Sequence, residues 1–463
     1  MLNNKVKRLV NNIGIFAIGN LGSKLISFIL IPIFTRYMST TDFGHVDLIT
    51  TTVNMLLPVV ALSIADAVFR FAMEKRINQA EVLSTGFLFT MFMILITFAM
   101  YPILLFFKVS YVVYIILYLS IGLIQNLLQN FVRGIGFVRV FAINGLVSSV
   151  VMAFVGTWLI VYKHTAVQGY LVALIISAAI SVAFMVFTTK IWHYFRFNNF
   201  SLHMLKSMFR YSIPLIPNAF FWFFTNDASR YFIVGFVGLA ANGLYAVATK
   251  LPTMINVLYT VFSQAWQISA VEEYESDRDE RFFSNVFNAN IGLSVVIIGG
   301  ILIILKPIMS VYVANTYFVA WKVVPSLLFA TFFSNLSSFL GTIYLATKKT
   351  AGIMKTTIYG MIANVFLNFL LIPTLGLQGA GIGAALGFAF VAFIRLRDIR
   401  KYIFIHVNWQ LLFSSLFILF LMSVLQFFCR TNSLVMYSLL VVLEIILVFV
   451  NLRPIFDARL TSK

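Results

Sequence analysis

The feature that most constrains this chain is a succession of apolar runs, each about twenty residues long, recurring from one end to the other. A bilayer's hydrocarbon core, ~30 Å thick, takes ~20 helical residues to cross. About fourteen such runs can be read, at residues 12–34, 43–72, 82–107, 111–131, 140–161 and 167–188 in the first half. They continue at 211–236, 242–265, 286–305, 323–345, 357–371, 379–394, 409–428 and 433–452, of which 357–371 is the shortest. Of the 463 residues 61% are hydrophobic and only 10% charged, against roughly 25% charged in soluble proteins. Such a chain is no soluble enzyme, disordered polymer or collagen-like fibre. A membrane β-barrel would show alternating segments of ~10 residues, which are absent. The expected fold class is an all-α polytopic membrane protein.

The charge balance supports this reading and orients it. Lys+Arg number 33 and Asp+Glu 15, for a net charge of +18. Basic residues collect in cytoplasmic loops, so the excess reports topology and gives no reason to invoke nucleic acid. With the N-terminus inside, the cytoplasmic side gathers Lys5, Lys7, Arg8, Lys75, Arg76, Arg133, Arg139, Lys190, Arg196, Lys206, Arg210, Arg278 and Arg281. It also gathers Lys348, Lys349, Lys355, Arg395, Arg397, Arg400, Lys401, Arg453, Arg459 and Lys463. The opposite side holds only Arg36, Lys108, Lys163, Lys306, Lys322 and Arg430. Both termini are therefore expected in the cytoplasm. The basic N-terminus precedes an apolar run without a clear small-residue cleavage site, which reads as a retained first helix.

The longest polar stretches are 190–210 and 271–281. The first divides the chain into an N-terminal lobe (1–190), a cytoplasmic linker (191–210), a C-terminal lobe (211–401) and a final pair of crossings with a tail (402–463). Weak internal similarity favours that division: Gly44 and Thr50 align with Gly243 and Thr249, and Gln168-Gly169 with Gln378-Gly379. Parallel repeats of this kind place a substrate path between the halves.

No catalytic constellation is visible. The five histidines are scattered without metal-ligand spacing, one cysteine (Cys429) supports neither a disulfide nor a zinc site, and no Walker-type loop exists. The segment GAGIGAALG (379–387) mimics a dinucleotide fingerprint, but lies within an apolar run where small residues serve helix packing. No cofactor, no metal and no enzymatic activity are expected.

The informative residues are charges inside crossings: Lys24, Asp66, Arg70, Asp227, Arg230 and Lys250. Each costs ~2.5–3.5 kcal/mol at a helix centre on insertion scales, and such groups usually face a wet cavity or a partner. Asp66 with Arg70 and Asp227 with Arg230 are spaced to pair on one helix face, and Arg70 could snorkel to the interface. Lys24 and Lys250 have no local acid. Gathered in one cavity these groups carry an excess of positive charge, suited to a phosphate or diphosphate. Pro214 and Pro217 mark either a hinge or a helix start.

Three blocks carry a family resemblance: NLGSKLISFILIPIFTRYMSTTDFG (20–44), YSIPLIPNAFFWFFTNDASRYFIVGFVGLAANGLYAVATKLP (211–252) and NVFLNFLLIPTLGLQGAGIGAAL (364–386). On these the chain resembles the polysaccharide transporters, the Wzx-like lipid-linked oligosaccharide (O-antigen) flippases of the MATE/MOP exporter superfamily. The resemblance implies two six-helix lobes around a central cavity, followed by two further helices. It implies alternating access that carries an isoprenoid-diphosphate-linked oligosaccharide to the outer leaflet of a bacterial inner membrane. The implied partners are that glycolipid, membrane lipid and a polysaccharide polymerase with other assembly proteins. The cations implied to engage the substrate match Lys24, Arg230 and Lys250 here, with Arg70 nearer the inner end and Asp66 and Asp227 as charge-pairing or ion-coupling groups. A lipid II-type flippase and a cation-coupled multidrug exporter are the alternative functions.

The orientation can be tested because Cys429 is the single cysteine. In a Cys429→Ser background, Lys163→Cys should react with a membrane-impermeant maleimide in intact cells. Lys349→Cys should react only after permeabilisation; the reverse pattern would invert the topology.

Overall fold

Apolar side chains drive these segments into the membrane, and the absence of water there drives every backbone N–H and C=O into intrahelical bonds. A computed structural model describes residues 21–74, 76–276, 279–349, 351–428 and 434–460, with 452–460 described by backbone alone. The described residues are mostly helical, with no strand among them. Among the described residues eleven helices are long and apolar enough to cross a bilayer. The first run, expected from residue 12, lies outside the described residues before position 21, as do Lys5, Lys7, Arg8, Lys75, Arg278, Cys429, Arg430 and Lys463.

The chain divides into two units, Met1–Phe223 and Phe224–Lys463. The first unit contains α1 (21–37), α2 (Thr40–Val60), α3 (Ile64–Ala72), α4 (Gln79–Ala99), α5 (Tyr101–Phe106) and α6 (Val112–Gly134). It continues with α7 (Val138–Thr157), α8 (Ala166–Thr189) and α9 (Leu202–Ser212). Local chemistry starts several of these. Ser39 and Asp42 form a reciprocal capping box on α2, and Asn78 and Ser201 accept from the first turns of α4 and α9.

The second expected crossing, 43–72, is broken. Between α2 and α3, Leu62 and Ser63 adopt left-handed conformations (φ 49° and 51°). Such backbone costs a residue with a Cβ ~1–3 kcal/mol. At the break the Ser63 amide donates to the Pro58 carbonyl at 2.7 Å. Hydrophobic periodicity is blind to this, because Leu62 and Ser63 fit a helical pattern as well as their neighbours do.

Polar ties hold the first unit where apolar packing lacks direction. Gln125 on α6 donates to Ser181 on α8 (2.8 Å), which donates to Asn144 on α7 (2.9 Å). The stretch expected as a linker is structured against this unit. The Arg196 and Ser201 amides donate to the Ser84 and Thr85 hydroxyls on α4, and α9 packs on α3 and α4.

The division between the units falls within α10 (Leu215–Asp227). The second unit follows with α11 (Ser229–Phe236), α12 (Leu239–Ala248), α13 (Lys250–Glu275), α14 (Glu280–Tyr312) and α15 (Val324–Ala346). Then come α16 (Ala351–Leu375), α17 (Leu377–Asp398), α18 (Trp409–Phe428) and α19 (Leu434–Leu460). Pro214 and Pro217 sit just before and within the first turn of α10, where a missing N–H costs no helical bond. Both therefore lie at the start of a helix. The seventh crossing lapses later, at Ala228, and the eighth at Thr249.

α15 is the most enclosed helix of the second unit. Trp266 of α13 stacks on Phe339 at 4.2 Å, and the Tyr259 hydroxyl donates to the Asn335 carbonyl at 2.6 Å. α16 runs well past the short 357–371 stretch, because its Gly, Thr and Asn residues lower hydropathy without ending the helix. The glycine-rich segment lies in α17 and packs closely. Gly379, Gly383 and Gly387 recur every fourth residue toward α16, near Leu371, Asn368 and Asn364, while Gly381 faces Ser326 of α15. No nucleotide-binding strand precedes it.

Arg395, read from sequence as a loop cation, is 8% exposed within this unit. Its guanidinium donates to the Thr356 and Thr357 hydroxyls and the Ser337 carbonyl, joining α17 to α16 and α15. Lys306, read as an outer-loop cation, is 2% exposed with its ammonium 4.5 Å from the Trp321 ring centre.

A Cβ at Gly379 would overlap the Leu371 carbonyl of α16, whereas one at Gly300 of α14 meets nothing within 4 Å. Gly379→Ala should therefore destabilise the detergent-solubilised protein by ~1–3 kcal/mol, with a lower thermal unfolding midpoint. Gly300→Ala should leave that midpoint unchanged or slightly raised.

Candidate functional site

Each unit holds a polar cavity where a membrane helix is interrupted. In the first unit the break at 61–63 opens a cavity of about 120 Å³. Its walls are Leu57, Pro58, Ala61, Ser63, Ile64, Ala65 and Asp66, closed by Thr90 of α4 and by Leu123, Asn126, Leu127 and Asn130 of α6. Asn126 and Asn130 are one turn apart, and the Asn130 amide donates to the Asn126 side-chain oxygen at 2.8 Å. Asp66 sits in the first turn of α3, where the helix dipole favours a carboxylate.

In the second unit two interruptions meet. Asn226, Asp227 and Arg230 flank the lapse at Ala228, while Tyr245, Thr249, Pro252, Thr253 and Asn256 flank the lapse at Thr249. With Leu327, Ala330, Thr331 and Ser334 of α15 and Ala384 and Phe388 of α17, they line a cavity of about 200 Å³. Arg230 pairs with Asp227 through Nη1 and Oδ1, their side chains 14% and 36% exposed. The guanidinium also lies 5.8 Å from the Tyr245 ring centre. Thr249 and Thr253 donate their hydroxyl protons to helix carbonyls one turn back, leaving oxygen lone pairs for the cavity.

The structure therefore brings Asp227 and Arg230 together, as their spacing suggests. Lys250 begins α13 beside Thr249, half-buried and outside the lining residues. In the first unit Asp66 and Arg70 do not pair. Arg70 bonds Glu74 at 2.9 Å, further along its own chain, and both are exposed; Asp66 faces the cavity at the helix break instead. Lys24 stands exposed on α1. Counting intramembrane charges overlooked Glu74 because it lies beyond the expected helix end. With Glu74 counted, the excess of positive charge is smaller than the six intramembrane residues alone give.

Sequence reasoning centred on formal charge missed the hydroxyls and carboxamides. A signal was available: Thr249, Thr253 and Asn256 share a helix face at spacings of four and three, as do Thr331 with Ser334 and Asn126 with Asn130. Among the described residues no group of three or more His, Cys, Asp or Glu could hold a metal ion.

Interrupted helices beside polar cavities, in described residues that hold many candidate membrane spans and no strand, define the class as a polytopic helical membrane protein of MATE/MOP-like fold. The model of the polysaccharide biosynthesis protein family matches residues 9–267, more than half of the chain, and the chain belongs to that family. Among solved structures it is similar to the lipid II flippase MurJ in an inward closed conformation (TM-score 0.68, 12% identity, covering 95% of this chain and 99% of that one). It is similar to an inward-facing multidrug resistance MATE transporter (TM-score 0.67, 14% identity, 83% and 93%). It is also similar to a MOP-superfamily transporter from Pyrococcus furiosus (TM-score 0.59, 14% identity, 84% and 95%). No curated protein matches the chain.

The Asp227–Arg230 pair makes a measurable claim. Asp227→Asn and Arg230→Gln should each lower the thermal midpoint, and the double variant should lose less than the sum. The expected coupling is ~0.5–1 kcal/mol; strict additivity would show that the pair contributes nothing.

Proposed function

We propose that this protein is a flippase for isoprenoid-diphosphate-linked oligosaccharide. It moves the glycolipid from the cytoplasmic to the outer leaflet of a bacterial inner membrane during surface polysaccharide synthesis. The observation that carries this reading is membership of the polysaccharide biosynthesis protein family, in a chain whose fold is that of MOP exporters. Both termini lie in the cytoplasm in this reading, and a polysaccharide polymerase with other assembly proteins takes the product. The family favours a surface-polysaccharide precursor over lipid II or a drug, and the protein acts as a transporter without catalysing a reaction.

The physical task explains the architecture. A sugar hydroxyl stripped of water without a new partner costs ~4–8 kcal/mol on transfer to hydrocarbon, so an oligosaccharide cannot cross unaided. Hydroxyl- and amide-lined cavities at helix breaks replace those lost partners while the isoprenoid tail stays in lipid. Lys24, Arg70 and Lys250 supply the positive charge that the diphosphate or an acidic sugar meets, and Arg230 binds the substrate beside Asp227. An inside-negative potential adds ~2.3 kcal/mol per charge per 100 mV toward outward movement of the anion, so alternating access can proceed without nucleotide hydrolysis. Cation antiport through Asp66 or Asp227 is the competing source of drive. It would make vesicle flux follow an ion gradient at zero potential, whereas the potential-driven reading requires flux that follows the potential.

Deletion of the gene should leave diphosphate-linked oligosaccharide accumulated in the inner leaflet, measured in lipid extracts. The wild-type gene should clear it, and Lys24→Ala or Arg230→Ala should each restore less than a tenth of that clearance. Normal lipid extracts from the deletion strain would refute the assignment.

A further inference from the structure

The two ends of the proposed substrate differ chemically: a diphosphate needs cations, and a sugar ring needs many hydrogen-bond partners with little net charge. The second-unit cavity has the second character. Its one cation, Arg230, already faces Asp227, so the pair presents no net charge, and the Asp227 carboxylate would repel a phosphate at close range. Around the pair stand the hydroxyls of Thr249, Thr253, Thr331 and Ser334 and the carboxamides of Asn226 and Asn256.

The donor and acceptor balance also fits a sugar. Thr249 and Thr253 have given their protons to helix carbonyls and face the cavity as acceptors. Asp227 accepts, while Arg230 and the asparagine amides donate, so both halves of each sugar O–H can be met. Thr331 is only 6% exposed and lines the cavity from α15. Phe388 offers an apolar wall for the ring's C–H face. At about 200 Å³ the cavity lies below the ~300–1,000 Å³ of sites that enclose drug-sized ligands, which limits it to about one ring.

We propose that this cavity is a subsite for a single uncharged, hydroxyl-rich sugar ring of the substrate, read by Thr331, Asn256 and the Asp227–Arg230 pair, and that the diphosphate binds elsewhere. This inference rests on the flippase reading and deepens it by assigning the glycan end of the glycolipid to one unit. It makes the cavity a determinant of which saccharides are accepted.

The test compares two probes on the purified full-length protein in nanodiscs. One is diphosphate-linked oligosaccharide extracted from the deletion strain; the other is polyprenyl diphosphate bearing no sugar. The variant Thr331→Val/Asn256→Ala, with an unfolding midpoint near the wild-type value, should bind the glycolipid about tenfold more weakly, the weight of one or two hydrogen bonds. Its affinity for the sugar-free diphosphate should stay within twofold of wild type. Should Thr331→Val/Asn256→Ala fold poorly, Ser334→Ala in its place should show the same split at smaller amplitude. Equal weakening toward both probes would make the cavity a phosphate site and overturn the proposal. Unchanged glycolipid affinity in a variant of a wild type that binds it would overturn the sugar subsite alone. A wild type that binds the glycolipid no better than phosphatidylglycerol would overturn the flippase reading as well.

Discussion

Hydrocarbon cannot hydrogen-bond, and that single fact governs this molecule. Backbone groups within the bilayer must be satisfied by the chain itself, so the described residues are mostly helical and a break in a crossing must be sealed by protein or open onto a polar space. The interruptions at 61–63, 228 and 249 are of the second kind. Each borders a cavity lined by hydroxyls, carboxamides and a carboxylate, so the places where helical order lapses are the places where polar chemistry gathers.

Polarity elsewhere serves cohesion. Helices in lipid gain little from the hydrophobic effect when they associate, and depend on close packing and directed hydrogen bonds. The glycine face of α17 lets backbones approach, and Arg395 ties three helices through two threonines and a carbonyl. The Gln125–Ser181–Asn144 chain does the same in the first unit. An intramembrane cation is thus no proof of a transport path: Arg395 and Lys306 are enclosed within their own unit, whereas Arg230 opens onto a cavity.

The charged residues show how far sequence reasoning reaches. Asp227 and Arg230, three apart, pair on one face as spacing alone suggests. Asp66 and Arg70, four apart, do not, because Glu74 draws Arg70 away and the break before α3 turns Asp66 toward a cavity. The site's neutral polar residues were visible as helical spacings in α13 and α15. Their meaning depended on a convergence of four segments that a one-dimensional pattern does not contain.

The sequence by itself determined that the chain is a helical membrane protein of many crossings, because hydropathy over some twenty residues is a local property that the bilayer reads directly. It also marked the glycine run as a packing face, since the fourfold spacing is set by helix geometry alone. Only the tertiary structure decided where helices break, which carboxylate meets which guanidinium, and which threonines face a cavity. Those outcomes turn on neighbours far apart in the chain, whose free-energy differences of a few kcal/mol are fixed by packing and not by any segment's own composition.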